Sequence, residues 1–273
     1  MSAVGGYQPA ASGAAAAPVD GLVKLLNKSH EPIQIETAKA RLEQMRFKVM
    51  TTAKIIDEDH LMQRLGYRPW MVTLTYRKVD QQQPSDVARF LNLLRTDAIR
   101  HRRPFRYLWV GELQERGALH YHLLIWYPRR KLPPKFDVIG YWPHGMTERS
   151  LARNPLHYLT KYASKLRSKC GEAAFPKGFR MHGFGGLPKN VASFRRWKLL
   201  PKWARDLGGP ELELRPAHGG GKYSKATGEC FESPWEFVGI SKIVGVGTVV
   251  SIRRKQISGI QTQINNFTRG ITP

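Results

Sequence analysis

The chain reads as an α+β protein: an antiparallel sheet with flanking helices, preceded by a helical segment and followed by a basic, partly β-like extension. Three observations carry that reading. Two β-rich runs, "FRYLWVGEL" (105–113) and "ALHYHLLIWY" (118–127), are separated by a short loop ending in glycine. A third such run, "WMVTLTY" (70–76), precedes them, with the helical pattern "SDVARFLNLLRTDAIRHRR" (85–103) between. β-Branched and aromatic residues favour strands, whereas apolar residues recurring every three or four positions favour helices.

Taken in order, residues 1–20 are small and uncharged apart from Asp20, too poor in apolar surface to offset ordering entropy, and read as a disordered leader. They resemble neither a signal nor a transit peptide. Ala38, Leu42, Met45 and Val49 follow helical spacing, so residues 21–66 read as a helical segment. The central domain spans 67–205. Its helix over 85–103 has Ser85 or Asp86 as cap. Glu115, Arg116 and Gly117 form a three-residue loop of the type I turn plus G1 bulge kind. "YWPHG" (141–145) reads as a further short strand and turn. "NPLHYLTKYASKLRSK" (154–169) reads as a helix, with Asn154 as N-cap, Pro155 at its first position and Gly171 as the stop. The extension over 206–273 is Gly-rich, then β-like from 231 to 254, and polar over its last residues. "IVGVGTVVSI" (243–252) is too short to span a bilayer and fits a strand or a glycine-bent hairpin.

Charge narrows the function. Against 21 Asp+Glu stand 44 Lys+Arg, a formal net charge of +23. Like charges oppose compaction, so the usual physical reason for such an excess is a polyanionic partner, and nucleic acid is the first expectation. No basic amphipathic helix speaks for a membrane surface. Cys170 and Cys230 make neither a disulfide framework nor a zinc pattern, which fits a reducing compartment and a soluble, cytoplasmic protein.

The chemistry concentrates on the hairpin. If Gln114 pairs with Ala118, Glu112 lies opposite His120 and Val110 opposite His122, and directly opposed residues share a face. One short turn then gathers a carboxylate and two imidazoles. Such a set suits Mg²⁺ or Mn²⁺. The bland alternative is a pair of polar residues on a solvated strand face. His144 in "WPHG" is either a further contact or, more simply, a turn residue.

On the helix, Tyr158, Lys161, Tyr162 and Lys165 fall on one stripe. A packed amphipathic stripe with snorkelling lysines would explain it. Phosphate chemistry explains it better: a phenol attacks phosphorus only when its proton leaves and the charge is compensated, which a neighbouring lysine assists. The region 161–205 is strongly basic and interleaved with aromatics. Its "FRRWKLLPKW" segment (194–203), with Arg195, Arg196, Trp197 and Lys198, is expected to grip single-stranded DNA by phosphate neutralisation and base stacking.

"MVTLTY" (71–76), "GELQERGALHYHLLIW" (111–126) and "YLTKYASK" (158–165) together resemble motifs I, II and III of HUH-superfamily rolling-circle replication initiators. The motif order and the two tyrosines are similar to the two-tyrosine initiators of filamentous and other small single-stranded DNA phages. The resemblance covers about 68–205. It implies a ferredoxin-like or RRM-like sheet with the histidines on a central strand and the tyrosine helix beside it. By position it implies His120, His122 and Glu112 as ligands of Mg²⁺ or Mn²⁺ and Tyr162 as nucleophile. Tyr158 would be its alternating partner, with Lys161 and Lys165 assisting. Thr73 and Thr75 fall in motif I, with no chemistry assigned. The implied activity is nicking and rejoining of single-stranded or unpaired origin DNA through a 5′-phosphotyrosine link, in the cytoplasm of a bacterial host. No G-x-x-x-x-G-K-[ST] loop occurs, so a host helicase is an expected partner. An HUH transposase and a non-catalytic basic single-stranded nucleic-acid-binding protein are the rival readings.

Overall fold

A computed structural model describes residues 31–155, 157–159 and 176–255. Its centre is a five-stranded antiparallel sheet built from β2 (Tyr67–Thr75), β3 (Arg106–Leu113), β4 (Leu119–Pro128), β5 (Thr147–Leu151) and β6 (His182–Gly185), in the order β5-β2-β4-β3-β6. β4 pairs with both β2 and β3, so it is the middle strand and those two run parallel to each other on either side of it. The crossover from β2 to β3 carries α3 (Asp86–Arg100). The fold is thus the expected α+β class, an antiparallel sheet with helices on its faces.

Strand periodicity explains how the core divides. Successive side chains on a strand point to opposite faces. The odd positions of β4, Leu119, Tyr121, Leu123 and Ile125, pack with Val87, Phe90, Leu91 and Leu94 of α3, as the sequence predicts. The even positions Leu124 and Trp126 meet Met45, Val49, Ala53 and Ile56 of α1 (Thr37–Asp57). Both faces are therefore covered, but α1 reaches only part of the second one. α2 (His60–Arg64) follows α1; the Asp59 side chain caps it by accepting from the Leu61 N–H.

Several local expectations hold. The Gln114 N–H donates to the Ala118 carbonyl at 2.8 Å, and Gly117 takes φ 81°, a left-handed conformation that explains glycine there. The His157 N–H donates to Asn154 Oδ1 at 3.1 Å, the capping role assigned to Asn154. The hairpin expected around 243–252 forms between β10 (Trp235–Ile243) and β11 (Gly247–Arg254).

Others are corrected. The segment before the sheet does not begin as a helix: Ile33–Glu36 forms β1, which pairs with β11 from the far end of the chain. That contact is invisible to local periodicity because its partner lies more than two hundred residues away. Ser85 precedes α3 without a side-chain capping bond; the buried Asp86 accepts from the Gln83 N–H instead. "YWPHG" is a turn, not a strand. It is drawn against β2 by the Trp142 indole N–H, which donates to the Thr75 carbonyl at 3.0 Å. A side chain at Gly145 would collide with that same carbonyl, so the approach needs glycine. The strand is β5, a few residues later, where the polar sequence "TERSL" gave no apolar signal.

Beyond the sheet, α4 (Lys189–Lys198) and α5 (Lys202–Arg205) lead into a small sheet of β7 (Leu214–Pro216), β8 (Lys222–Ser224) and β9 (Cys230–Phe231). β1, β11 and β10 form a third sheet. Among the described residues no helix is long and apolar enough to cross a membrane.

Candidate active site

Where α1 stops covering the sheet, its even face turns polar. Glu112 is directly opposite His120, and Val110 opposite His122, the register that the turn predicts. On the other side of β4, Thr73 lies opposite His122 and Thr75 opposite His120. The face is not solvated there: His122 is 4% exposed and Glu112 7%. That disposes of the bland alternative for this pair, because burying two polar groups costs free energy unless they are bonded.

They are bonded to each other. His122 Nε2 and Glu112 Oε2 lie 2.8 Å apart, and His122 Nδ1 is 3.3 Å from Thr73 Oγ1. In the neutral ring the carboxylate takes the Nε2–H and the threonine hydroxyl donates to Nδ1. Thr73 therefore orients the imidazole, a role its place in the sequence did not disclose because the β2–β4 register is non-local. His120 is held differently. Its Nδ1 meets Gln114 Nε2 at 3.2 Å, while its Nε2 is buried without a hydrogen-bond partner. Burial, reinforced by the neighbouring His122 ring, pushes the His120 pKa down to about 4. The ring is neutral around pH 7.

Among the described residues no three His, Cys, Asp or Glu side chains stand as a ready-formed metal-binding group. The His120 and His122 rings are 6.2 Å apart between centroids. The donor set still suits a hard divalent cation: one carboxylate, two imidazoles on adjacent same-face positions, and a buried imidazole nitrogen lacking a partner. The Nε2 to Oε2 separation also resembles the edge between neighbouring ligands on one ion, roughly 3 Å for ligand distances near 2.1 Å.

The helix expected to carry the tyrosines starts on this same face. Leu159 is fully buried with Val110, Leu108 and Leu124, and Tyr158 packs half-buried against that cluster. Lys161, Tyr162 and Lys165 lie outside the described residues.

The basic segment departs from expectation. Arg195 is 8% exposed: its guanidinium lies 3.7 Å from the Phe184 ring centroid, and its Nε–H donates to Thr52 of α1. Burial, with Arg196 nearby, lowers its pKa to about 10. The Trp197 indole N–H donates to the Gly208 carbonyl at 2.6 Å. Arg195 and Trp197 thus tie α4 to its neighbours instead of presenting a free surface. Arg196 and Lys198 remain partly exposed.

A second polar cluster went unnoticed in the sequence. The fully buried Asp86 accepts from the Tyr76 hydroxyl at 2.9 Å, and His144 Nε2 stands 3.5 Å from its other oxygen. His144 does sit in a turn, but it also answers a buried carboxylate. Its only local signal was the glycine beside it.

Fold and site together define a strongly basic α+β protein with a carboxylate and two imidazoles gathered on its central strand pair. Residues 69–167, about a third of the chain, match the family model of replication-associated protein ORF2. The match supports a replication-initiator family and begins and ends around the elements just described. No curated protein and no solved structure matches the chain.

Proposed function

We propose that this chain is a replication initiator that nicks single-stranded DNA at a rolling-circle origin by metal-assisted tyrosine attack and later rejoins the strands. The observation that carries the reading is the buried Glu112–His122 pair beside His120, on the face against which residues 155–159 pack. Replication initiators are generally nuclease-like, and the family match points the same way.

In this reading Glu112, His120 and His122 hold Mg²⁺ or Mn²⁺. Bound there, a divalent cation supplies charge neutralisation at a non-bridging oxygen of the scissile phosphate. Thr73 and Gln114 aim the imidazoles, and the neutral His120 offers its nitrogen without first losing a proton. Tyr162 attacks phosphorus, forming the phenolic O–P bond as the P–O3′ bond breaks. That leaves a 5′-phosphotyrosine and a 3′-OH primer. Tyr158 alternates with it, and Lys161 and Lys165 compensate charge. Single-stranded or unpaired origin DNA is the substrate, a host helicase the unwinding partner and the bacterial cytoplasm the setting.

The test is an origin-bearing oligonucleotide with Mn²⁺. A covalent protein–DNA adduct is expected, lost with EDTA and in the Tyr158→Phe, Tyr162→Phe double variant. Glu112→Gln is expected to lower adduct formation on the order of a hundredfold, the upper range for disturbing a metal shell. His120→Ala should abolish cleavage while salt-sensitive binding persists. Undiminished cleavage by His120→Ala would remove the metal from the reading.

A further inference from the structure

The sheet β1-β11-β10 is built inside out. Register places Ile33, Ile252 and Phe237 in one row and Ile35, Val250 and Ile240 in the next, so six apolar side chains share a face. The opposite face carries Gln34, Glu36, Ser251 and Ser241, with Val249 as its buried apolar exception. Yet among the described residues the apolar face is the open one: Ile33 is 50% exposed, and Phe237 and Ile240 are each 66% exposed. A contiguous patch of this kind marks a surface that something covers.

We propose that residues 256–273 of this chain cover it. They leave the structure at Lys255, directly after β11, and so begin at the rim of the face. In that stretch Ile257, Ile260, Ile264, Phe267 and Ile271 recur at alternating steps of three and four, which puts five apolar side chains along one side of a helix. Eighteen residues make a helix of roughly 27 Å at 1.5 Å per residue. The nine residues of β10 extend over roughly 30 Å. Arg269 is the one charged residue in the stretch, so docking it on a chain of net charge +23 adds little repulsion. The polar surroundings of these five residues hide the pattern in composition; only the open face gives it a purpose.

The experiment uses the full chain. Trypsin cleavage after Arg269 is followed by mass in the parent and in Ile240→Asp, with circular dichroism as the folding control. Cover by the tail predicts slow cleavage in the parent and acceleration of at least about tenfold in the variant, since a docked segment must open before it is cut. Ile264→Asp with Phe267→Asp, which alters no residue of the described fold, is expected to raise binding of a hydrophobic dye. Equal cleavage rates, or unchanged dye binding, overturn the proposal. So does a concentration-dependent dimer that Ile240→Asp dissociates while the Arg269 site is cut at the parent's rate, because a second copy then occupies the face. None of these readouts depends on nicking.

Discussion

The two hairpins of this protein, β3–β4 and β10–β11, look alike as sequence and behave oppositely. Both join β-branched, alternating strands through turns with a glycine at positive φ. In β3–β4 the strands lie inside a five-stranded sheet with helices on both faces, so even the polar residues are buried and must find partners. In β10–β11 the second strand is shared with β1 and the first is an edge, leaving Val244 at the tip fully exposed. Alternation fixes which residues share a face. It does not say which face is covered.

The contrast can be broken or sharpened by substitution, and the largest effect is expected at the centre. Leu123→Ala should destabilise the protein by about 2–5 kcal/mol, since Leu123 is fully buried and the vacated space cannot collapse completely. Thermal or denaturant unfolding measures it. A change under about 1 kcal/mol would mean that the central hairpin is no better packed than the outer one. Next comes Arg195→Ala, expected to cost on the order of 2 kcal/mol through the lost charge-assisted bond to Thr52. Arg196→Ala should leave stability within about 0.5 kcal/mol. If DNA binding is then measured against salt, Arg196→Ala should flatten the dependence if that side chain meets a phosphate. A stable Arg195→Ala protein with weakened DNA binding would restore the role expected from the sequence.

Gly117→Ala is expected to cost about 1 kcal/mol, because a Cβ is strained at its positive φ. At the outer tip, Val244→Ser should change stability by less than about 0.5 kcal/mol. A subtler effect concerns pH. Burial, with Lys48 and Arg195 close by, lowers the His182 pKa from its usual 6.5. A base whose folded pKa is depressed binds fewer protons folded than unfolded between the two values. Its contribution is therefore complete above pH 6.5 and is lost as pH falls toward the folded pKa. His182→Gln should shallow the loss of stability on acidification from pH 7, read from melting temperatures.

Much of the site was legible early because it is local. The loop Glu115–Gly117 sets the pairing of its own flanks, and that pairing alone puts Glu112 across from His120. Asn154 announces a helix start by the side chain it offers to the free N–H groups. What escaped was held by distant residues: Thr73 at His122, the pairing of β1 with β11, and Asp86 answering Tyr76 and His144. The arginine of "FRRWKLLPKW" escaped for the same reason, since nothing in its neighbourhood reveals that Thr52 and Phe184 await it.

By itself the sequence determined the α+β class, the hairpin register, the shared face of Glu112, His120 and His122, and a charge calling for a polyanion. Those follow from strand period, turn chemistry and Coulomb repulsion, which operate over a few residues or over the whole composition. Only the tertiary structure decided that this face is buried at its histidine end, that Arg195 serves packing, and that an apolar sheet face lies open near the C-terminus. Burial depends on which remote elements arrive to exclude water, and no window of adjacent residues contains that information.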